Sequence, residues 1–549
     1  MPDPSTLRVG VLCGHRSVQR WQAEAVARLF AVRGVAPAVW IALQQEAAAS
    51  APRRTKKPGT SLFARIAQLL PQPMDHDALN EQDPAPLLAQ LRTLAVHTNA
   101  DRCELDADVI AALTGLQLDL VLVLSDFRPD AAELGHPRLG AWSFHPGLFR
   151  NSIHEDLFRD PATAALQLIR YDATGDVRVL REGSFVGAMN EPPVDAALMN
   201  CARWPAQVAM EVLAGNADAA SGLSGVQLAP DIAPRGSMGS LGAYGRAWRR
   251  KLFRPNSELS AEWNIGVLHQ PITSLLDENA SMNVRWLPPP SKGKSRSEPF
   301  GYTSDDGQLN VLYRKHSGTT GQSSIARLRP KADNVLKRSR PMLEGAGITG
   351  YPYVLEHEGA VHVVVTHTTG TELYRLNEAN DGLDRVAILI DLPLHAPTLF
   401  HTEGRWWLFA TDPALPDCAL LAFHAQHLHG PYTAHPLNPL KLDARSARPA
   451  GTPFQRDGVW WRPALDASRH STSAIVLNRI ITLTPDLFSE KTVKRIEPFR
   501  GTSYGHGLRT LCAMGPITLV DGLRSPTVAA NKANANRDKK RSGSSNKRK

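Results

Sequence analysis

Cysteine is scarce and scattered: Cys13, Cys103, Cys201, Cys418 and Cys512 are the only five in 549 residues. An odd count with no close pair argues against a disulfide framework, and no two have the spacing of metal ligands. Long apolar runs are missing as well. The opening Met1-Pro2-Asp3-Pro4-Ser5 lacks the layout of a secretory leader, and no stretch reaches the 18 or so apolar residues that span a bilayer. The expectation is a reducing, cytoplasmic setting. A basic body is lacking too, despite a net charge of +9. Eight of the basic residues fall between Lys532 and Lys549, against Asp538 alone, so residues 1–530 are close to neutral. A segment of Asn, Ser, Lys and Arg with nothing more apolar than Ala cannot offset its ordering entropy, and a disordered basic tail is expected over 525–549. A nucleic-acid partner is not expected on this charge distribution.

What is present is a repeat. Ala396-Pro397-Thr398-Leu399-Phe400-His401-Thr402-Glu403-Gly404-Arg405-Trp406-Trp407-Leu408-Phe409 reads as a hairpin: an apolar run, a polar turn ending in Gly, and an aromatic second run. Pro299 to Tyr313, Pro352 to Val365 and Pro449 to Trp461 share the layout, with Gly307, Gly359 and Gly458 in the turns. Each unit adds a further strand, at Ser324–Leu328, Glu372–Arg375, Ala419–Phe423 and Ala474–Asn478. A period near fifty with three or four strands per unit predicts propeller blades. Strands at Glu262–His269 and Ile517–Gly522 flank the four repeats. They predict a fifth blade completed from both ends of the domain, which leaves no sheet edge open.

The first third is different. Leu7–Cys13, Leu118–Ser125 and Ala141–His145 have buried-strand patterns, and residues 18–33 show helical spacing through Val18, Trp21, Ala25, Leu29 and Val32. A second helical pattern runs over 105–113, and a third over 194–214, where Pro205 predicts a kink or two short helices. Strands alternating with helices predict an open, mostly parallel sheet, with functional groups at the carboxyl ends of strands, where His145 falls. The expected organisation is multidomain: an α/β open sheet over 1–216, a basic Gly-rich linker over 217–261, an all-β five-bladed propeller over 262–524, and the tail.

The segment Asp119–Phe185 resembles the formyltransferase family, in which a strand ending Asn-x-His-Pro precedes a Leu-rich loop with Arg-Gly and a later Asp-x-Gly. The corresponding residues are Ser143-Phe144-His145-Pro146, Gly147-Leu148-Phe149-Arg150-Asn151 and Asp172-Ala173-Thr174-Gly175-Asp176. The resemblance implies that His145 and Ser143 (standing where the family has Asn) steady a developing oxyanion, and that Asp172 or Asp176 manages a proton. The resemblance raises formyl-tetrahydrofolate as a candidate cofactor and leaves open whether it binds. Asn151 replaces the family's Gly.

Over 262–524 the chain resembles the propeller that precedes the transferase domain of plant glucosamine inositolphosphorylceramide transferases. The resemblance rests on Trp263-Asn264-Ile265-Gly266-Val267, Glu298-Pro299-Phe300-Gly301, Tyr351-Pro352-Tyr353-Val354, the Pro397 hairpin, Asn438-Pro439, Arg445-Ser446-Ala447-Arg448-Pro449-Ala450-Gly451 and Arg462-Pro463-Ala464-Leu465-Asp466. More distantly it is similar to the five-bladed glycosidases of families 32, 43 and 68, whose chemistry uses carboxylates at the inner ends of blades. That implies sugar or glycoconjugate contacts at Glu298, Tyr351, Arg445, Arg448, Arg462, Asp466 and His506. Ala396 and Thr366 stand where such relatives carry acids. Three functions are consistent with these residues: acyl transfer to a sugar amine with the propeller presenting the glycan, glycan binding without chemistry, or glycosyl chemistry in the propeller itself.

Overall fold

The computed structural model describes residues 6–14, 17–45, 76–88, 91–98, 105–125, 129–146, 163–186, 194–223, 225–229, 262–317, 323–330, 339–345, 347–348, 351–377, 382–469 and 473–524. The 236–255 linker core, the loop after Gly147, Cys103 and the basic tail lie outside them. The chain divides into two compact units, one within Met1–Asp160, Ala164–Gly183 and Gly187–Arg235, the other within Pro161–Thr163, Ser184–Val186 and Gly236–Lys549.

The first unit is an α/β sheet. Its strands are β1 (Leu7–Gly14), β2 (Val18–Gln19), β3 (Val35–Gln45), β4 (Glu81–Gln82), β5 (Arg92–Thr98), β6 (Leu120–Val123), β7 (Ala141–His145), β8 (Thr163–Tyr171) and β9 (Val177–Val186). The main sheet has the order β9-β8-β7-β6-β1-β3-β5. From β5 to β7 the neighbours are parallel, and β8 turns back antiparallel on β7. Continuous apolar runs fit strands buried on both faces, and Leu120 to Val123 are all buried. The helix Arg20–Phe30 buries Trp21, Ala25, Val26 and Leu29, and Trp21 meets Phe144 of β7 edge-on at 5.1 Å. Pro205 resolves as two helices, Val194–Cys201 and Trp204–Leu213, with the proline in the first turn of the second, where its missing N–H costs nothing. Residues 217–220 form a 3₁₀ turn whose Ala220 carbonyl accepts from Arg170 of β8, and Gln227 and Ala229 bond to Gln167.

The second unit is propeller-like. It opens with β10 (Trp263–Leu268) and β11 (Val284–Trp286), followed by β12 (Lys294–Thr303), β13 (Leu309–Ser317), β14 (Ser323–Leu328) and β15 (Arg340–Leu343). Then come β16 (Tyr353–His357), β17 (Ala360–His367), β18 (Gly370–Asn377) and β19 (Gly382–Ile390). The third repeat supplies β20 (His395–Thr402), β21 (Arg405–Thr411), β22 (Ala419–Ala425), β23 (Thr433–Ala434) and β24 (Lys441–Asp443). The unit ends with β25 (Phe454–Arg456), β26 (Val459–Asp466), β27 (Ala474–Leu483), β28 (Phe488–Ile496), β29 (Leu511–Met514) and β30 (Ile517–Leu523).

Four blades stand as four-stranded sheets: β12 to β15, β16 to β19, β25 to β28, and β11-β10-β30-β29. The last is assembled from both ends of the domain. The third repeat is an antiparallel run of β20, β21 and β22, with β23 and β24 both on β22. Three of the Gly turns carry a second residue at positive φ: Glu358 before Gly359, Glu403 before Gly404 and Asp457 before Gly458. Two consecutive left-handed residues make the type I′ turn, whose twist matches the strands it joins.

Blade starts are shaped by bulges. Register shifts between Ser297 and Phe300 on β12, and between His395 and Thr398 on β20, each enclose a non-glycine residue at positive φ before a proline. Those residues are Glu298 (φ 57°) and Ala396 (φ 52°). A residue there costs about 1–2 kcal/mol against the ordinary region, so the surrounding structure must impose it. Gly451 (φ 138°) holds another such point: a Cβ there would lie 1.8 Å from the Leu511 carbonyl oxygen.

Candidate functional site

Glu298 and Ala396 occupy the same place in two repeats, and the geometry around them defines the site. The Glu298 carboxylate is buried, with Oε1 3.6 Å from Arg448 and Oε2 3.7 Å from Arg314. Arg448 donates to Asp417 at 2.9 Å. Burial alone would lower the Arg448 pKa, but Asp417 and Glu298 hold the guanidinium firmly charged. His395, half-buried at the start of β20, is pushed toward its neutral form by burial and by Arg448. The phenol of Tyr351 shares a 2.7 Å hydrogen bond with Thr398 and donates to the Ala396 carbonyl at 3.1 Å, which fixes the second bulge. Burial raises the Tyr351 pKa, so the phenol keeps its proton. Phe300 packs against Tyr351 and Tyr353 at 4.9 and 5.2 Å and walls the cluster on one side.

Asp521 explains why Glu298 sits in a strained conformation. This fully buried carboxylate on β30 accepts the Glu298 N–H at 2.9 Å, and those of Arg509 and Thr510 at 2.8 and 3.0 Å. One side chain thus fixes the bulge and ties the closing blade to the first repeat. Arg509 in turn lies 4.3 Å over the Trp263 ring.

Of the residues expected at a sugar site, Glu298, Tyr351 and Arg448 come together. The others do not join them. Arg462 is wholly buried and committed: it pairs with Glu490 through Nε and Nη2 at 3.0 and 2.6 Å and donates to the Ala447 and Ser446 carbonyls. Asp466 is bound by Arg495 and by the Ser468 amide and hydroxyl. Arg445 is exposed against Asp443. His506 contributes its backbone N–H to the Leu523 carbonyl. These four are framework residues of their own segments. Sequence reasoning missed Arg314, His395, Asp417, Thr398 and Asp521. His395 and Thr398 flank the flagged Ala396-Pro397, which was the available signal; nothing local marks the other three.

In the first unit the expected formyl-transfer constellation is not assembled. His145 pairs with Gln167 at one end of the β7–β8 ladder, whereas Tyr171, the residue before Asp172, pairs with Ala141 at the other end. Four residues of strand separate the two ends, about 13 Å. Asp172 Oδ1 accepts from the Thr174 amide and hydroxyl and the Asp176 amide, the bonds of a hairpin turn, and these hydrogen bonds lower its pKa. Asp176 pairs with Arg178. His145 Nε2 lies 2.6 Å from the Ala229 carbonyl oxygen, and Ser143 Oγ is buried with no hydrogen-bond partner among the described residues. These residues do not fit the transfer of a formyl group from a folate. No cluster of metal-ligating side chains occurs among the described residues, and no helix among them is long and apolar enough to cross a membrane.

The second unit is of the propeller-like class in which blades converge on a charged cluster. Residues 291–510 match the family described as "Glucosamine inositolphosphorylceramide transferase 1, N-terminal". The chain is 27% identical over 249 residues to glucosamine inositolphosphorylceramide transferase 1 of Oryza sativa subsp. japonica, covering 42% of this chain and 33% of the rice protein. The Arabidopsis thaliana protein of the same name is 24% identical over 236 residues, covering 41% and 30%. The chain thus spans about a third of the length of these relatives. Among solved structures, an exo-beta-1,3-galactanase from Phanerochaete chrysosporium gives a TM-score of 0.31 at 12% identity, covering 39% of this chain and 54% of that one. Zg3597, a family 117 glycoside hydrolase from Zobellia galactanivorans, gives 0.32 at 12%, covering 49% and 91%. Likeness at that level carries no functional content.

Proposed function

We propose that the second unit is a sugar-recognition module of a glycoconjugate-processing system of transferase type, that the third-repeat strands serve as its fifth blade, and that it binds without hydrolysing. The carrying observation is the state of its carboxylates. Glycosidic cleavage by the usual two-carboxylate route needs an acid and a base, or an acid and a nucleophile, facing one bond. Here Glu298 stands among arginines, Ala396 holds the equivalent bulge with no acid, and Asp417 is bound to Arg448. Asp521 is consumed by three backbone N–H groups, and Asp466 is held by Arg495. One buried carboxylate beside two guanidinium groups can fix a polyol but lacks the second group for turnover. The match to the transferase family over 291–510 supports the glycoconjugate context. The first unit then acts as scaffold, its His145 anchoring the 225–229 segment.

The test is to apply the full chain to a glycan array and then assay each bound glycan for released reducing sugar. Saturable binding without release is the expected result. Release that disappears in Glu298→Gln would overturn the reading in favour of a hydrolase, and an array with no bound glycan would also overturn it.

A further inference from the structure

Two buried groups in the cluster have no hydrogen-bond partner among the described residues: Glu298 Oε2, an acceptor, and Arg314 Nε, a donor. Each has neighbours, but the carboxylate lies 3.6 and 3.7 Å from its two guanidinium groups, beyond hydrogen-bonding distance. Buried charged groups left unsatisfied are costly and uncommon, and where they persist a role outside the fold is the usual reason. Asp521 holds the Glu298 backbone in place through its N–H. The side chains of Arg314 and Arg448, 29% and 22% exposed, lie beside a carboxylate that is 4% exposed, so the cluster borders the surface through its arginines.

The charges decide what such a site accepts. Glu298 and Asp417 balance Arg314 and Arg448, and His395 is biased toward neutrality. An anionic ligand that gains from the arginines meets the Glu298 carboxylate, and a cationic ligand that gains from Glu298 meets two arginines. A hydroxyl group avoids both conflicts, because it donates and accepts at once. Resting on the sugar-binding reading above, we propose that this cluster takes an uncharged sugar, one hydroxyl donating to Glu298 Oε2 and the same or a neighbouring hydroxyl accepting from Arg314 Nε. The cluster discriminates against the amino and phosphorylated forms of that sugar.

The experiment is saturation-transfer NMR on the full chain. The probes are the methyl glycosides of glucose, galactose and mannose, each beside its 2-amino and 6-phosphate derivatives. At least one neutral glycoside is expected to bind, with both charged derivatives weaker by about tenfold, the scale of one charge-assisted hydrogen bond. Glu298→Gln and Arg314→Met should each cost a similar factor and narrow the gap between neutral and charged forms. A charged derivative bound as tightly as its neutral parent overturns this inference while leaving sugar recognition intact. Absence of binding by every probe, or binding indifferent to both substitutions, overturns the recognition reading itself.

Discussion

Replacing Arg462 with alanine is expected to destabilise the second unit by about 3–5 kcal/mol, the range for breaking one partner out of a buried ion pair. Its guanidinium is completely enclosed, and its partner Glu490 has a side chain only 2% exposed. Burial pushes the Glu490 carboxyl up, but Arg462 and then Lys441 outweigh that and hold it below the ordinary carboxylate range. Without Arg462, only the partly exposed Lys441 remains to offset burial of the charge. The Ala447 carbonyl would also lose its Arg462 donor, and that of Ser446 would keep only Asn478. Because the Glu490 pKa is depressed on folding, its contribution to stability is present above the unfolded carboxylate value and declines as pH falls through the folded one. A denaturant titration of Arg462→Ala should show the loss at neutral pH. The double variant Arg462→Met, Glu490→Leu should recover part of it, since a well-packed apolar pair avoids the stranded charge. Recovery should be incomplete, because the Arg462 hydrogen bonds to the Ala447 and Ser446 carbonyls remain lost. A single variant within about 0.5 kcal/mol of wild type, the usual range for an inconsequential surface change, would contradict the framework role.

Asp521→Asn is the second large effect, and its signature is pH dependence. Burial pushes the Asp521 carboxyl up to about 6 from an ordinary 3.8, even though the N–H bonds from Glu298 and Arg509 act in the opposite direction. The folded state therefore holds a proton that the unfolded state releases between those values. This group's contribution is most favourable below 3.8 and diminishes as pH rises through about 6. The stability of wild type relative to Asp521→Asn should thus increase by roughly 1 kcal/mol per pH unit on acidification across the window. Other titrating groups cancel in the difference. At neutral pH the variant should also loosen the first blade, because an amide cannot accept from the Glu298, Arg509 and Thr510 amides together without turning its NH₂ toward one of them. Paired denaturant melts at pH 6.5 and 4.5 decide the matter; a difference that is flat or of opposite sign refutes it.

The sequence made the second unit legible because its signals were local and repeated. A Gly turn after an apolar run, followed by Trp406, Trp407 and Phe409, specifies a hairpin wherever it occurs, and β20 to β22 follow from it. The pairing of β10 with β30 was also legible, since two apolar strands flanked four complete repeats. The site was legible only where a proline marked a blade start. Glu298 and Tyr351 stand before prolines, and Arg448 belongs to a distinctive run. Arg314 lies inside an ordinary strand, opposite Ser297 in the β12–β13 hairpin; Asp417 lies in a turn and Asp521 in a closing strand, and only contacts between segments distant in sequence bring them to Arg448 and Glu298. The same limit misled in the other direction. Arg462 and Asp466 look like ligand contacts in sequence, yet Glu490 and Arg495, two strands away on β28, claim them. In the first unit, Asp172-Ala173-Thr174-Gly175-Asp176 resembles a catalytic segment, but Asp and Gly at those offsets also close a hairpin, as they do here.

The central claim is that the Glu298–Arg448 cluster is where the protein meets a sugar. It is tested most directly by the binding isotherm of one array-selected glycan on wild type, Arg448→Ala and Arg445→Ala. Arg448 bridges Glu298 and Asp417, whereas Arg445 is exposed and pairs with Asp443. The account predicts that Arg448→Ala weakens binding at least about tenfold while Arg445→Ala leaves it unchanged. Equal affinity of wild type and Arg448→Ala would contradict it.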